Sequence, residues 1–191
     1  MLPLYTIGHS NHPLDKFLEL LRQLRIDFVV DIRSVPSSGY SPQFNGHDLS
    51  RSLQASGFRY VFLGRELGGR PDNLDFYDDE GYVLYEPLSQ SGPFQVGIER
   101  LLHGALDYRI ALLCGEEDPI SCHRRRLVAP ILTQRGVDVL HVRGDGRVQE
   151  ESELQAIEQI RFPDRYQLHW LATVAAWRST KPVQVRSRVA L

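Results

Sequence analysis

Between residues 110 and 126 the chain reads IALLCGEEDPISCHRRR, and its unusual chemistry is concentrated there. A short apolar run ends in a thiol, Cys114, and a carboxylate, Glu116. After the acidic turn, Ser121 stands where a helix N-cap is expected, with Cys122, His123 and Arg124 in the first turn. A helix N-terminus offers free N–H groups and partial positive charge, which favours anions and lowers the pKa of a nearby thiol. On that basis Cys122 is a candidate thiolate, its alternative a buried small hydrophobe, and Arg124 a candidate anion contact. Glu116 is the candidate general base or nucleophile. His9 and His123 are the alternatives for proton transfer, since imidazole titrates near neutrality. Cys114, inside the apolar run, reads as a packing residue.

These residues have to be positioned by something, and the apolar pattern supplies it. Residues 4–7, 26–30, 58–63, 110–113 and 137–142 read as buried strands. Helical periodicity follows Pro13, through Leu14, Phe17, Leu18, Leu21 and Leu24, and returns at 48–56, after Pro93 and at 150–160. Pro130 is expected to end or kink the helix that begins near Ser121. Strands alternating with helices predict a three-layer α/β fold, Rossmann-like or flavodoxin-like, with a mostly parallel sheet of about five strands. Residues 34–46 read as a long Ser/Pro/Gly loop, and the acidic connection 71–92 as a lid or binding loop. The α/β domain is expected to run over 1–161. Residues 162–191 form an extension with an amphipathic helix through Tyr166, Trp170, Val174 and Trp177, a candidate surface for a homodimer.

Ligands of open parallel sheets lie beyond the carboxyl ends of the strands, where strand order reverses. Those ends carry His9 and Ser10, Asp31 and Arg33, Arg65 and Glu66, then Cys114 and Glu116. Ser10, Asp31, Arg33, Arg65, Glu66 and Arg124 are therefore the expected substrate-binding set. A competing reading pairs the arginines internally with Asp31, Glu66 and Glu116, as architecture.

The same residues form a pattern. Thr6-Ile7-Gly8-His9-Ser10, Asp31-Ile32-Arg33 with Pro36 and Phe44, Leu67-Gly68-Gly69, Leu112-Leu113-Cys114-Gly115-Glu116 and Cys122-His123-Arg124 resemble the bacterial and archaeal family known as domain of unknown function 488. The resemblance runs from about Tyr5 to Glu151, and differs at Gly115, where the family usually has Ala. It implies a small cytoplasmic α/β protein whose motif residues form an active site, without supplying a reaction.

Composition narrows the function. With 22 basic and 24 acidic residues the net charge is -2, which counts against a general electrostatic grip on nucleic acid. Two cysteines make no disulfide framework, and no apolar run approaches the roughly 20 residues of a membrane span. The cytoplasm is the expected address. A phosphatase loop is excluded, because the sixth residues after Cys114 and Cys122 are Ile120 and Val128 rather than Arg. Cys114, Cys122 and His123 offer three metal ligands, but their spacing matches no familiar structural zinc site, so no metal ligand and no cofactor are assigned. The leading expectation is an enzyme cleaving a glycosidic or phosphoester bond in a small phosphate- or nucleotide-containing anion. The alternatives are a nucleic-acid-associated module and a thiol redox or metal-binding protein.

Overall fold

A computed structural model of the 191-residue chain describes residues 1–162 and 177–183. In chain order the elements are β1 (Leu4–Gly8), α1 (Leu14–Gln23), β2 (Phe28–Asp31), α2 (Gly46–Ala55), β3 (Arg59–Phe62), α3 (Gly64–Leu67), α4 (Tyr85–Gln90) and α5 (Gly92–Gly104). There follow β4 (Ile110–Cys114), a π-helical turn (Arg124–Val128) running into α6 (Ala129–Gln134), β5 (Val139–Val142), β6 (Val148–Gln149) and α7 (Glu151–Arg161). The expected α/β architecture is present. The sheet has six strands rather than five, in the order β3-β2-β4-β1-β5-β6. The extra strand is the short β6, paired antiparallel to β5; every other pairing is parallel.

Strand order places the site. The connection from β1 to β2 passes over β4, while that from β4 to β5 passes over β1 in the opposite direction. With right-handed crossovers these connections lie on opposite faces, so the chain leaves the adjacent ends of β1 and β4 in opposite senses. Packing agrees. Phe17, Leu18 and Leu21 of α1 and Leu49 and Leu53 of α2 cover Tyr5, Ile7, Val29, Ala111 and Leu113 on one face. Phe94, Ile98 and Leu101 of α5, with Leu127, Val128 and Ile131, cover Leu4, Val30, Ile110, Leu112 and Val139 on the other. β1 and β4 are buried along their whole length, hence their continuous apolar runs.

Register finishes the placement. Gly8 lies beside Cys114, and Asp31 beside Leu113, so the C-terminal residues of three strands share one rim. Gly8 is required there: a Cβ would collide with the Glu116 carbonyl and press on the Arg124 guanidinium.

Of the C-terminal extension, residues 177–183 pack on the acidic connection. Tyr85 N–H donates to the Trp177 carbonyl at 2.8 Å, Ser179 N–H to that of Val83 at 2.9 Å, and Val183 N–H to that of Gly81 at 2.8 Å. Arg178 pairs with Asp78 and lies over the Tyr82 ring. Of the helix expected through Tyr166, Trp170, Val174 and Trp177, Trp177 is not helical but bonds to the acidic connection; the other three, and the homodimer surface on that helix, lie outside the described residues. Among the described residues no helix is long and apolar enough to cross a membrane.

Candidate functional site

The helix start after β4 differs from the expected one in an instructive way. Asp118 Oδ1 accepts from Ile120 N–H at 3.1 Å and caps a single 3₁₀ turn, Pro119–Ser121. Cys122 is extended and its carbonyl accepts from Arg125 and Arg126 N–H, so Cys122 rather than Ser121 occupies the cap position. The expected kink before Pro130 is the π-helical turn. Pro130 has no N–H to return to the carbonyl four residues back, that of Arg126; the Trp177 indole Nε1–H donates to it instead, at 2.8 Å. This turn sends Arg124 inward. It is fully buried and donates to the Glu117 carbonyl, away from the cavity where an anion contact was expected. Arg125, also buried, is held by Glu151 and Glu158 of α7, so the Arg124–Arg126 run is largely architectural.

At the end of β4 four side chains converge. The Cys114 thiol donates to Glu116 Oε2 at 2.9 Å, and the Cys122 thiol reaches the same oxygen at 3.2 Å. His123 Nδ1 stands 3.6 Å from the Cys114 sulfur and 4.0 Å from that of Cys122. His123 Nε2–H donates to the Ile32 carbonyl at 3.1 Å, which turns Nδ1 toward the thiols. Gly69 permits this, because a Cβ there would meet the His123 ring at 2.7 Å.

These groups set one another's proton affinity. The hydrogen bond from Cys122, with His123 nearby, outweighs burial and holds the Cys114 thiol down at about 6. Burial and then its partner thiol push Cys122 well above the ordinary thiol range. Burial opposes ionisation of Glu116, yet the hydrogen bonds from Cys114, the backbone and Cys122 bring its carboxyl to about 2. Burial also opposes charging of His123, but Cys114 and Glu116 raise its pKa.

A second cluster stands beside the first. The Asp31 carboxylate takes Arg33 Nε at 2.9 Å, Arg33 Nη2 at 2.6 Å and the Tyr60 hydroxyl at 2.9 Å. Arg33 also donates to the Phe44 carbonyl and, from Nη1, to His9 Nε2 at 3.0 Å. His9 Nδ1–H donates to the Ser10 carbonyl, and its ring stacks on Phe44. Burial first, then the Arg33 guanidinium, hold the His9 imidazole down at about 4. The ring is neutral at pH 7, and its one lone pair is taken by Arg33.

A cavity of about 430 Å³ opens between the two clusters. His9, Arg33, Cys114, Glu116 and His123 line it, as do Arg70, Lys181, Tyr85 and the hydroxyl residues Ser34, Ser37, Ser38, Ser121, Ser179 and Thr180. Among the described residues Glu116 is the one carboxylate on this wall, against Arg33, Arg70 and Lys181. Of the expected site residues, Asp31 and Arg124 lie behind the wall, and Ser10 turns its hydroxyl toward Asn11. Arg65 is exposed on α3 and Glu66 pairs with Arg100, so neither reaches the cavity. Cys114, expected only to pack, is on the wall, and Cys122 lies behind it, as the buried reading of that residue has it. Sequence reasoning missed Arg70, one residue beyond Gly68-Gly69, and the segment 179–183, which Trp177 fastens across the rim.

No curated protein and no solved structure matches the chain. A family model described as domain of unknown function DUF488 matches residues 13–131, a span holding Arg33, Cys114, Glu116, Cys122 and His123 but neither His9 nor the 179–183 segment. The chain therefore belongs to the DUF488 family.

Proposed function

We propose that the chain is a cytoplasmic enzyme acting on a small anionic substrate, phosphate- or nucleotide-containing, bound in the cavity at the C-terminal rim of the sheet. The observation that carries the reading is the charge of the wall: three cationic side chains and a row of hydroxyls face one carboxylate across a cavity of small-molecule size. Arg33 is already clamped by Asp31, so among the described residues Arg70 and Lys181 are the lining cations left to meet an anion. The hydroxyls of Ser34, Ser37 and Ser38 suit phosphate oxygens or sugar hydroxyls. Glu116 and Cys114 reach the cavity from its floor, and Glu116 is the group assigned to the chemistry, as base or nucleophile toward a glycosidic or phosphoester bond. Nucleic-acid association is the weaker reading, since the net charge is -2 and the cations converge on a concave pocket rather than an extended face.

A thermal-unfolding screen tests this. Nucleotides and sugar phosphates are compared with their uncharged counterparts, because a ligand that prefers the native state raises its apparent stability. A binding anion at a hundredfold excess over its Kd adds about 2.7 kcal/mol. For a chain of this length that moves Tm by roughly 5–11 °C. Glu116→Gln retains the shift and loses turnover. If no anion shifts Tm, or if the uncharged counterparts shift it equally, the reading is wrong.

A further inference from the structure

Two sulfurs, an imidazole nitrogen and a carboxylate oxygen meet at the floor of the cavity, and proton transfer needs only one of them. Cys122 is the informative member. It lies behind the wall, out of reach of a substrate in the cavity, yet its sulfur is turned toward the Glu116 oxygen and the His123 nitrogen that the Cys114 sulfur also faces. A buried hydrophobe would have no reason to share that focus.

We propose that Cys114 Sγ, Cys122 Sγ and His123 Nδ1 bind a divalent zinc-class cation, with the fourth coordination position left open for water or substrate. Zinc bonds of about 2.3 Å to sulfur and about 2.0 Å to nitrogen place tetrahedral ligand atoms about 3.5–3.8 Å apart. The two sulfurs and Nδ1 lie within 4.8 Å of one another, and the sulfur–nitrogen separations are 3.6 and 4.0 Å. Contraction of a few tenths of an ångström at the nitrogen, and of at most about 1 Å between the sulfurs, completes the geometry. The orientation of His123 is already that of a ligand: Nε2–H is anchored on the Ile32 carbonyl, so Nδ1 points at the thiols, the outer contact that metal-bound histidines make.

The backbone holds the three residues rigidly. Cys114 ends a fully buried strand, the capped 3₁₀ turn at Pro119 returns the chain, and Cys122 and His123 are adjacent at the helix start. Two thiolates and an imidazole select a borderline-soft ion over magnesium or calcium. On binding, each thiol still protonated gives its proton to solvent as the metal–sulfur bond forms. Cys₂His with one open corner is the composition of catalytic rather than structural zinc sites, and two of the three ligands, Cys114 and His123, line the cavity. The loop between the ligands holds seven residues, longer than the familiar structural spacings, so the linear pattern is silent.

The inference needs no substrate and is tested without one. Reduced full-length chain, purified from zinc-supplemented growth, is assayed for metal by mass spectrometry; chelator-treated protein is then titrated with Co²⁺. A single zinc per chain is expected, with a near-ultraviolet thiolate-to-cobalt band and the visible absorption of tetrahedral cobalt. Competition against a chromophoric chelator should show Cys122→Ser weakening zinc at least tenfold. A folded wild-type chain that takes up neither ion, or takes up cobalt without the thiolate band, overturns the proposal. So does wild-type zinc affinity in Cys122→Ser, and the wild-type spectrum decides alone if that variant does not fold. Running the anion screen on zinc-loaded and zinc-free chain separates the two readings: anion shifts without metal uptake refute only the metal site, and metal uptake without anion shifts refutes only the substrate reading.

Discussion

Replacing Asp31 by Ala tests whether the Asp31–Arg33 pair is architecture. The carboxylate is fully buried and accepts from Arg33 N at 3.1 Å, Arg33 Nε at 2.9 Å, Arg33 Nη2 at 2.6 Å and the Tyr60 hydroxyl at 2.9 Å. Removing it strands a guanidinium whose side chain is 8% exposed, and breaking a buried pair by deleting one partner costs about 3–5 kcal/mol. At roughly 2–4 °C per kcal/mol for a chain of this size, Tm should fall by about 6–20 °C. Urea unfolding of Asp31→Ala, Arg33→Met and the double variant completes a cycle. The double variant should be more stable than the summed single losses predict, by well over about 0.5 kcal/mol, because it removes the stranded charge. A single-variant loss under about 0.5 kcal/mol, or strict additivity, would refute the buried clamp and return Arg33 to the free anion-binding role its position at a strand end suggests.

Other consequences follow from the same geometry. His9 takes its proton near pH 4 when folded and near 6.5 when unfolded, so the unfolded chain binds more protons between those values. Its contribution is complete above pH 6.5 and is lost as pH falls toward 4, by up to about 3 kcal/mol. Comparing urea midpoints of wild type and His9→Gln at pH 6.5 and 5 should show the shallower dependence in the variant; equal slopes would count against the buried neutral ring. Trp177→Phe removes the donor to the Arg126 carbonyl and should cost about 1 kcal/mol. Adding Pro130→Ala, which restores a backbone N–H, should recover part of that loss in the same unfolding assay. Gly115→Ala places a Cβ in ordinary contact, 3.8 Å from His9 Nε2, and should be neutral or stabilising by about 0.4–1 kcal/mol. A loss above 1 kcal/mol there would show that the rim is tighter than described.

The strands were legible because β1, β2 and β4 are buried on both faces and must be apolar throughout. Their parallel order then follows from the alternation with helices, and with it the shared rim of Gly8, Asp31 and Cys114. β6 was not legible: two residues, Val148 and Gln149, carry no periodicity. Within the site, residue types were readable and directions were not. Arg124 looked like an anion contact until the π-helical turn before Pro130 directed it beneath Gly8. Cys114 is on the wall and Cys122 behind it because wall and interior differ by the path of one seven-residue loop. Arg65 and Arg70 look alike in sequence, yet α3 directs the first to solvent while the backbone beyond Gly69 brings the second to the cavity. Arg33 stands at a strand end with Asp31 two residues away, and the two side chains pair as the competing reading expects. Lys181 could not be placed at all, since the contacts of Trp177, Arg178, Ser179 and Val183 with the 77–85 connection bring it over the rim.

The central claim is that a small anion is held at the mouth of this cavity by Arg70 and Lys181. Titration calorimetry of the most stabilising anion from the screen, against wild type and Arg70→Ala/Lys181→Ala at low and high salt, tests it most directly. Affinity should fall at least tenfold in the double variant, about 1.4 kcal/mol, and its salt dependence should flatten. Unchanged affinity and salt dependence in the double variant would place the anion elsewhere and contradict the account.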